Sequence, residues 1–378
     1  MSITENVAGA VSDLPAMDHV GRVDRLRDAM GDVGLDGLVV TNLTNVRYLC
    51  GFTGSAGVLL VTGNHVHFVT DGRYTEQSRS EVGSSGVPIE IEISASEPDR
   101  AIAARAKADG VSRLGLEENS ITWADHTRWV KDLLPGTELL GSNSIVETLR
   151  LVKEPAEAAR IRAACAVADE ALARTRHLLN EGPTEIEFAM ELDSTMKRLG
   201  AADVSFETIV ASGPNGAKPH HHPGGRVIAD GDLVVIDFGA LVDGYHSDMT
   251  RTMWIGDVGK ARERMFEIVL ESQQAGMEAV IAGVEASAVD SMCRQVIDDA
   301  GWGDAFVHGT GHGVGLDIHE EPRVSSRSAA ILEPGHVVTV EPGVYIPELG
   351  GVRIEDTVLV TDTGCDRLTR TPKTPQPG

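Results

Sequence analysis

Two pairs of acidic residues occupy positions from which strand geometry would aim them at one spot. In residues 234–252 a β-branched run leads to Asp237, the chain turns, and Asp248 lies on the way back before Thr250-Arg251-Thr252. Asp243-Gly244 suits a two-residue hairpin turn, because both residue types tolerate the positive φ such turns require. With the hairpin centred there, Asp237 faces Thr250 and Gly239 faces Asp248, so the two carboxylates are diagonal neighbours on one face. Residues 337–346 and 352–360 read as a second hairpin. Centred on Glu348, it sets Glu341 directly opposite Glu355. Four carboxylates at one locus repel each other and hold protons unless a cation neutralises them.

Histidines supply the other donors. Residues 212–223 carry His220, His221 and His222 among Gly and Pro, the composition of a loop. Residues 308–319 carry His308, His312 and His319. The spacing of His308 and His312 mimics a helical metal pair, but the intervening glycines oppose a regular helix, and no Glu follows His308 as a zincin motif demands. Glycine there lets backbone pass close to a site, with one His as the fifth ligand.

These side chains need a scaffold, and 378 residues are enough for two domains with cores of their own. Residues 19–150 alternate helical and strand patterns: a helix at 20–33, strands at 37–41, 57–62, 65–70 and 88–93, and helices near 97–109 and 122–134. That is an α/β domain over a mixed sheet. Its polar and aromatic clusters, Asn45 with Arg47 and Tyr48, residues 52–55 and residues 71–74, assemble no catalytic set. Residues 151–370 open with a long helix from Pro155, followed by a capping box at Thr184 and Glu187, and two further helices at about 260–282 and 286–300. The acid-bearing strands alternate with these helix pairs, giving an α+β domain with a curved antiparallel sheet backed by helices.

The net charge of −24 disfavours nucleic acid and anionic membrane as partners. No run is long and apolar enough to span a membrane, and residues 1–18 lack the features of a signal peptide. Cys50, Cys165, Cys293 and Cys365 are scattered without Cys-x-x-Cys, as buried thiols of a reducing cytoplasm would be. Residues 1–18 are expected to be a flexible N-terminus and residues 371–378 a disordered tail.

From about residue 19 to 370 the chain resembles the pita-bread metallopeptidases, in particular their Xaa-Pro aminopeptidase (aminopeptidase P) and prolidase branch. The ligand order of that family, Asp, Asp, His, Glu, Glu, is matched by Asp237, Asp248, His312, Glu341 and Glu355. The resemblance implies a creatinase-like N-terminal domain and a pita-bread catalytic domain holding two divalent metal ions. Asp237 would bind one ion, Asp248 and Glu355 would bridge both, and His312 and Glu341 would complete the other. Manganese is expected, with cobalt, iron or zinc as alternatives. The same resemblance implies a metal-bridging hydroxide as nucleophile, with Glu341 handling its proton. It places His220 on the substrate side, His319 on the tetrahedral intermediate and His308 in the pocket lining, and Arg353 is expected to hold acidic ligands in position.

The implied function is hydrolysis of the Xaa-Pro bond at the N-terminus of peptides, with Xaa-Pro dipeptidase activity as the alternative. Methionine aminopeptidases share the ligands but usually lack the front domain, and creatinase shares the architecture without the metal set. A noncatalytic binding scaffold on the same fold is a further alternative, disfavoured by the intact ligand set. The expected setting is a cytoplasmic homodimer or larger homo-oligomer acting on small peptides with proline at the second position.

Overall fold

The computed structural model describes residues 3–378. It divides into two compact units, Ala16–Arg150 and Leu151–Gly378, with the residues up to Pro15 grouped with the latter. Among the described residues, no helix is long and apolar enough to cross a membrane.

The first unit is built on a six-stranded mixed sheet in the order Glu90–Ile93, Val66–Thr70, Val58–Thr62, Gly37–Val40, Arg113–Glu117, Glu138–Ser142. The strands from Gly37–Val40 through Val66–Thr70 pair antiparallel, and the remaining pairs are parallel. Gly37–Val40 is buried throughout, as a central strand covered on both faces must be. The helix expected over 20–33 runs His19–Asp32, with the Asp18 carboxylate accepting from Gly21 N at its start. Arg113–Glu117 and Glu138–Ser142 escape a reading by pattern because Gly115 and Gly141 break short apolar runs with polar ends.

The second unit contains helices Pro155–Thr175, Glu185–Arg198, Lys260–Ala279 and Ala286–Asp299 over antiparallel sheets. Capping boxes close the starts of the first two, formed by Glu154 with Glu157 and by Thr184 with Glu187. Phe188, Leu192 and Met196 of the second helix are buried with Ile236, Phe238 and Met249 in one apolar cluster. Met265, Val269 and Cys293 of the later helix pair are buried with Val338, Val340 and Val358 in another. Each helix pair thus braces the sheet that ends in one pair of acids.

Both termini make contacts that the sequence pattern does not announce. Ile3–Ser12 is helical, and Val7, Ala10, Val11 and Leu14 lie against the cluster of Ala164, Val167 and Leu192. Their spacing of three, four and seven residues makes one apolar stripe, which outweighs the segment's overall polarity. Residues 1 and 2 lie outside the described residues. At the other end, Asp169 accepts from Thr371 N and Oγ1 (both 2.6 Å), Lys373 Nζ reaches Asp356 Oδ2 at 2.6 Å, and Trp254 N donates to Pro375 O. The buried Asp356 and the half-buried Asp169 thus take donors from residues 371–373.

Candidate metal centre

The first acid-bearing hairpin turns where its sequence says it should: Asp243 and Gly244 have φ of 45° and 79°. Leu233–Phe238 pairs with Met249–Trp254 in a register that sets Asp237 opposite Thr250. Beyond Phe238 the two strands separate into another sheet, where Leu241 pairs with His246 in the same register. The interruption falls at Gly239 and Asp248. The second hairpin behaves alike: Gly343 pairs with Arg353 on one side of the break and Val340 with Asp356 on the other, leaving Glu341 and Glu355 across from each other between the two ladders. Asp248, Glu341 and Glu355 therefore emerge where the ladders let go, and Asp237 from the last pairs before the first break.

His312 lies in the short strand Gly311–Gly313. A Cβ at Gly311 would collide with Thr339 O, and one at Gly313 with Glu321 O, so the glycines let this strand approach its neighbours. His312 Nδ1 donates to Gly313 O at 3.0 Å, which leaves Nε2 as a lone-pair donor aimed into the site. That nitrogen is 3.4 Å from both Asp248 Oδ2 and Glu341 Oε1. Asp248, His312 and Glu355 each offer a ligand atom within 4.8 Å of the other two.

One cavity of about 570 Å³ is lined by Asp237, Asp248, Glu341, Glu355, His220, His308, His312, His319 and Arg353, together with apolar Phe206, Ile209, Pro219 and Ile318. All nine residues singled out from the sequence thus meet at one place. His319 stacks edge-on against His312, with ring centroids 4.3 Å apart. His221 and His222 also line this cavity, with ring nitrogens held by Glu185 Oε2 at 2.8 Å and Glu207 Oε1 at 3.0 Å.

The electrostatics follow from burial. Desolvation, then the neighbouring Glu355, Asp237 and Glu341, hold the Asp248 carboxyl far above its ordinary range, and burial with Glu341 and Asp237 does the same to Glu355. Glu341 is pushed up to about 8 by burial, against the pull of Arg353. Burial pushes His312 down to about 3, so its imidazole is neutral, the form that ligates metal. Asp237 Oδ1 and Glu355 Oε1 are buried with no hydrogen-bond partner among the described residues. Protonated or orphaned carboxylates beside a neutral imidazole are what a cation site leaves when the ion is taken away, and the donor set fits hard or borderline divalent ions.

Several supporting residues went unnoticed in the sequence. Thr250 Oγ1 donates to Glu355 Oε2 at 2.7 Å and accepts from Arg353 Nε, while Thr339 Oγ1 donates to Glu341 Oε1 at 3.1 Å. Arg353 Nη2 lies 2.6 Å from Asp237 Oδ2, and its Nη1 donates to Tyr345 Oη at 2.8 Å. Tyr345 Oη in turn donates to His308 Nε2 at 2.8 Å, and His308 Nδ1 donates to Gly309 O. Burial, then the Arg353 charge, pushes His308 down to about 4, which keeps this chain running in one direction. The fully buried Glu185 accepts from Ser212 N and Oγ, Asn215 Nδ2, His221 Nε2 and Gly224 N, pinning the loop that carries His220. Register could have pointed to Thr250, opposite Asp237. Nothing local marks Glu185, whose partners lie in a distant loop.

The family model described as metallopeptidase family M24 matches residues 159–362, and that of the creatinase/prolidase N-terminal domain matches residues 22–152. An uncharacterised peptidase of Bacillus subtilis, YqhT, is 40% identical over 93% of this chain and 98% of its own length. A solved Xaa-Pro dipeptidase from Bacillus anthracis superposes with a TM-score of 0.91 at 38% identity, covering 95% of this chain and 99% of that one. An X-Pro aminopeptidase from Thermotoga maritima superposes with a TM-score of 0.86 at 32% identity, covering 94% and 99%.

Proposed function

The chain belongs to metallopeptidase family M24 with a creatinase-like N-terminal domain, and from that premise we propose that it hydrolyses the bond between the N-terminal residue of a peptide and a following proline. The observation that carries this reading is the convergence of five potential ligands, three further histidines and an arginine on one cavity, with two carboxylate oxygens left unpartnered. In this reading Asp237, Asp248, His312, Glu341 and Glu355 hold two divalent ions, manganese first. When bound, these ions would supply Lewis acidity and a water made acidic enough to lose its proton near neutral pH.

The chain's own groups do the rest. Glu341 stands to receive that proton on a carboxylate oxygen and pass it towards the leaving nitrogen. Arg353 pins the Asp237 oxygen it touches, so that the other oxygen faces the cavity. His319 and His220 line the wall from which a donor would meet the oxyanion developing on the attacked carbonyl, an interaction worth about 3 kcal/mol per donor. Phe206, Ile209, Pro219 and Ile318 offer apolar surface to a pyrrolidine ring. Cleavage from the N-terminus of longer peptides is the primary reading, and the name of the Bacillus anthracis structure favours the dipeptide alternative. The working form in this account is a cytoplasmic homodimer or larger homo-oligomer.

The test is hydrolysis of an Xaa-Pro dipeptide and an Xaa-Pro-Yaa tripeptide after chelation and after restoring manganese, cobalt or zinc. Cleavage of the tripeptide at Xaa-Pro supports the aminopeptidase, and cleavage of the dipeptide alone makes the chain a dipeptidase. Cleavage of a Met-Ala peptide with neither proline peptide cut would overturn the proline assignment.

A further inference from the structure

A second set of metal-ligating side chains meets within the unit Ala16–Arg150. His65 and His67 stand two residues apart where the chain turns from Val58–Thr62 into Val66–Thr70, so strand alternation puts both on one face. Asp109, the residue capping the C-terminus of helix Pro98–Ala108, reaches the same face. Its Oδ1 is 3.1 Å from His65 Nδ1 and its Oδ2 is 2.9 Å from His67 Nε2. One ligand atom from each of the three lies within 4.8 Å of the others. Ligands about 2.1 Å from a tetrahedral zinc stand roughly 3.4 Å from one another, so these separations are close to what a cation would need.

A histidine–aspartate–histidine cluster can serve as a hydrogen-bonded brace, but a further atom points beyond that. His67 Nδ1 is buried and has no hydrogen-bond partner among the described residues. Glu90, registered with His67 across the parallel ladder, holds Oε2 3.5 Å from that nitrogen. A carboxylate behind the second ring nitrogen is the usual means of orienting a metal-bound imidazole. Thr62 Oγ1 donates to Asp109 Oδ2 at 3.2 Å, fixing the carboxylate from its other side. The His65 side chain is 51% exposed while those of His67 and Asp109 are 4% and 10% exposed, so a fourth position opens to water beside His65.

We propose that His65 Nδ1, His67 Nε2 and the Asp109 carboxylate form a binding site for one borderline divalent cation of the zinc type, oriented by Glu90. Two neutral imidazoles and one carboxylate leave a single positive charge on such a centre, which the Glu90 carboxylate, shared with Arg105 Nη1 at 3.2 Å, offsets in part. The ion ties the turn at residues 62–66 to the end of helix Pro98–Ala108, a structural task independent of the peptidase chemistry.

The test counts zinc bound per full-length chain after chelation, desalting and titration, in wild type and in Asp248→Ala, each with and without His65→Ala. His65 is half exposed, so its removal leaves the fold intact, and Asp109→Asn provides a second variant that keeps the side-chain shape. The expected result is one zinc fewer with His65→Ala in both backgrounds, accompanied by loss of the zinc-dependent rise in melting temperature. Peptide cleavage in the wild-type background should be unaltered. An unchanged count with both His65→Ala and Asp109→Asn would overturn the site. Because the difference is read in the Asp248→Ala background too, it stands or falls apart from the peptidase reading.

Discussion

Replacing Glu185 by glutamine should separate the positioning of the substrate-side loop from the binding of metal. Burial pushes the Glu185 carboxyl up, but hydrogen bonds from Asn215, Ser212 and His221 more than offset this and keep it ionised. The charged group accepts from five donors. Glutamine keeps one acceptor oxygen, which can stay with Ser212 and Asn215. Its amide nitrogen would then face His221 Nε2 and Gly224 N, both donors. His221 can move its proton to Nδ1 and accept, whereas the Gly224 N–H cannot adapt. The loss of a charge-assisted bond costs about 1.5–3 kcal/mol and the unmatched N–H about 1–3 kcal/mol, so the loop should be destabilised by roughly 3–5 kcal/mol. If a third to a half of that appears in the barrier, kcat/KM on an Xaa-Pro peptide falls roughly 5- to 70-fold. Metal content should not change, because Glu185 touches none of the five ligands, and Glu185→Asp should recover part of the rate. Steady-state kinetics alongside metal analysis is the assay. Full activity in Glu185→Gln, or metal lost in step with activity, would refute the reasoning.

Asp248→Ala should abolish metal binding at the five-ligand centre and cleavage together, which metal analysis and a peptide assay would register; retained activity would remove Asp248 from the centre. His319→Ala should keep the metals and lower kcat by roughly 100-fold, the equivalent of about 3 kcal/mol, and lost metal would mean that its role is ligation. Metal-free protein should lose stability between pH 7 and pH 9. Glu341 has its folded pKa raised to about 8, so its contribution is complete below the unfolded value and disappears as pH rises through the folded one. Glu341 alone accounts for about 1 kcal/mol over that window, and Asp248 and Glu355 act in the same direction. His308 and His312, pushed down to about 4 and 3, oppose this only below pH ~6.5, which is why the window lies above it. Urea denaturation at both pH values, with and without metal, should show the slope in the metal-free protein alone.

The site was unusually legible because strand register is a local property. Once Asp243-Gly244 is taken as the turn, Asp237 must face Thr250, and the ladder has them so paired. Centring the second connection on Glu348 likewise fixes Glu341 across from Glu355, between the pairs Gly343 with Arg353 and Val340 with Asp356. What stayed hidden depends on contacts between distant segments. Glu185 gives no sign in its own helix that it will hold the loop around His220, and Asp169 and Asp356 give none that they will anchor residues 371–373. The N-terminal helix was missed for another reason: Val7, Ala10, Val11 and Leu14 form a stripe that overall polarity conceals. Strands Arg113–Glu117 and Glu138–Ser142 owe their burial and pairing to the sheet around them more than to their own pattern.

The most direct test of the central claim is anomalous diffraction at the manganese edge from crystals of the chelated protein reloaded with manganese. The account predicts two peaks, roughly 3.5–4 Å apart, among Asp237, Asp248, His312, Glu341 and Glu355, one of them on His312 Nε2 and both in reach of Asp248 and Glu355. A single peak, or none, among these five side chains would contradict it.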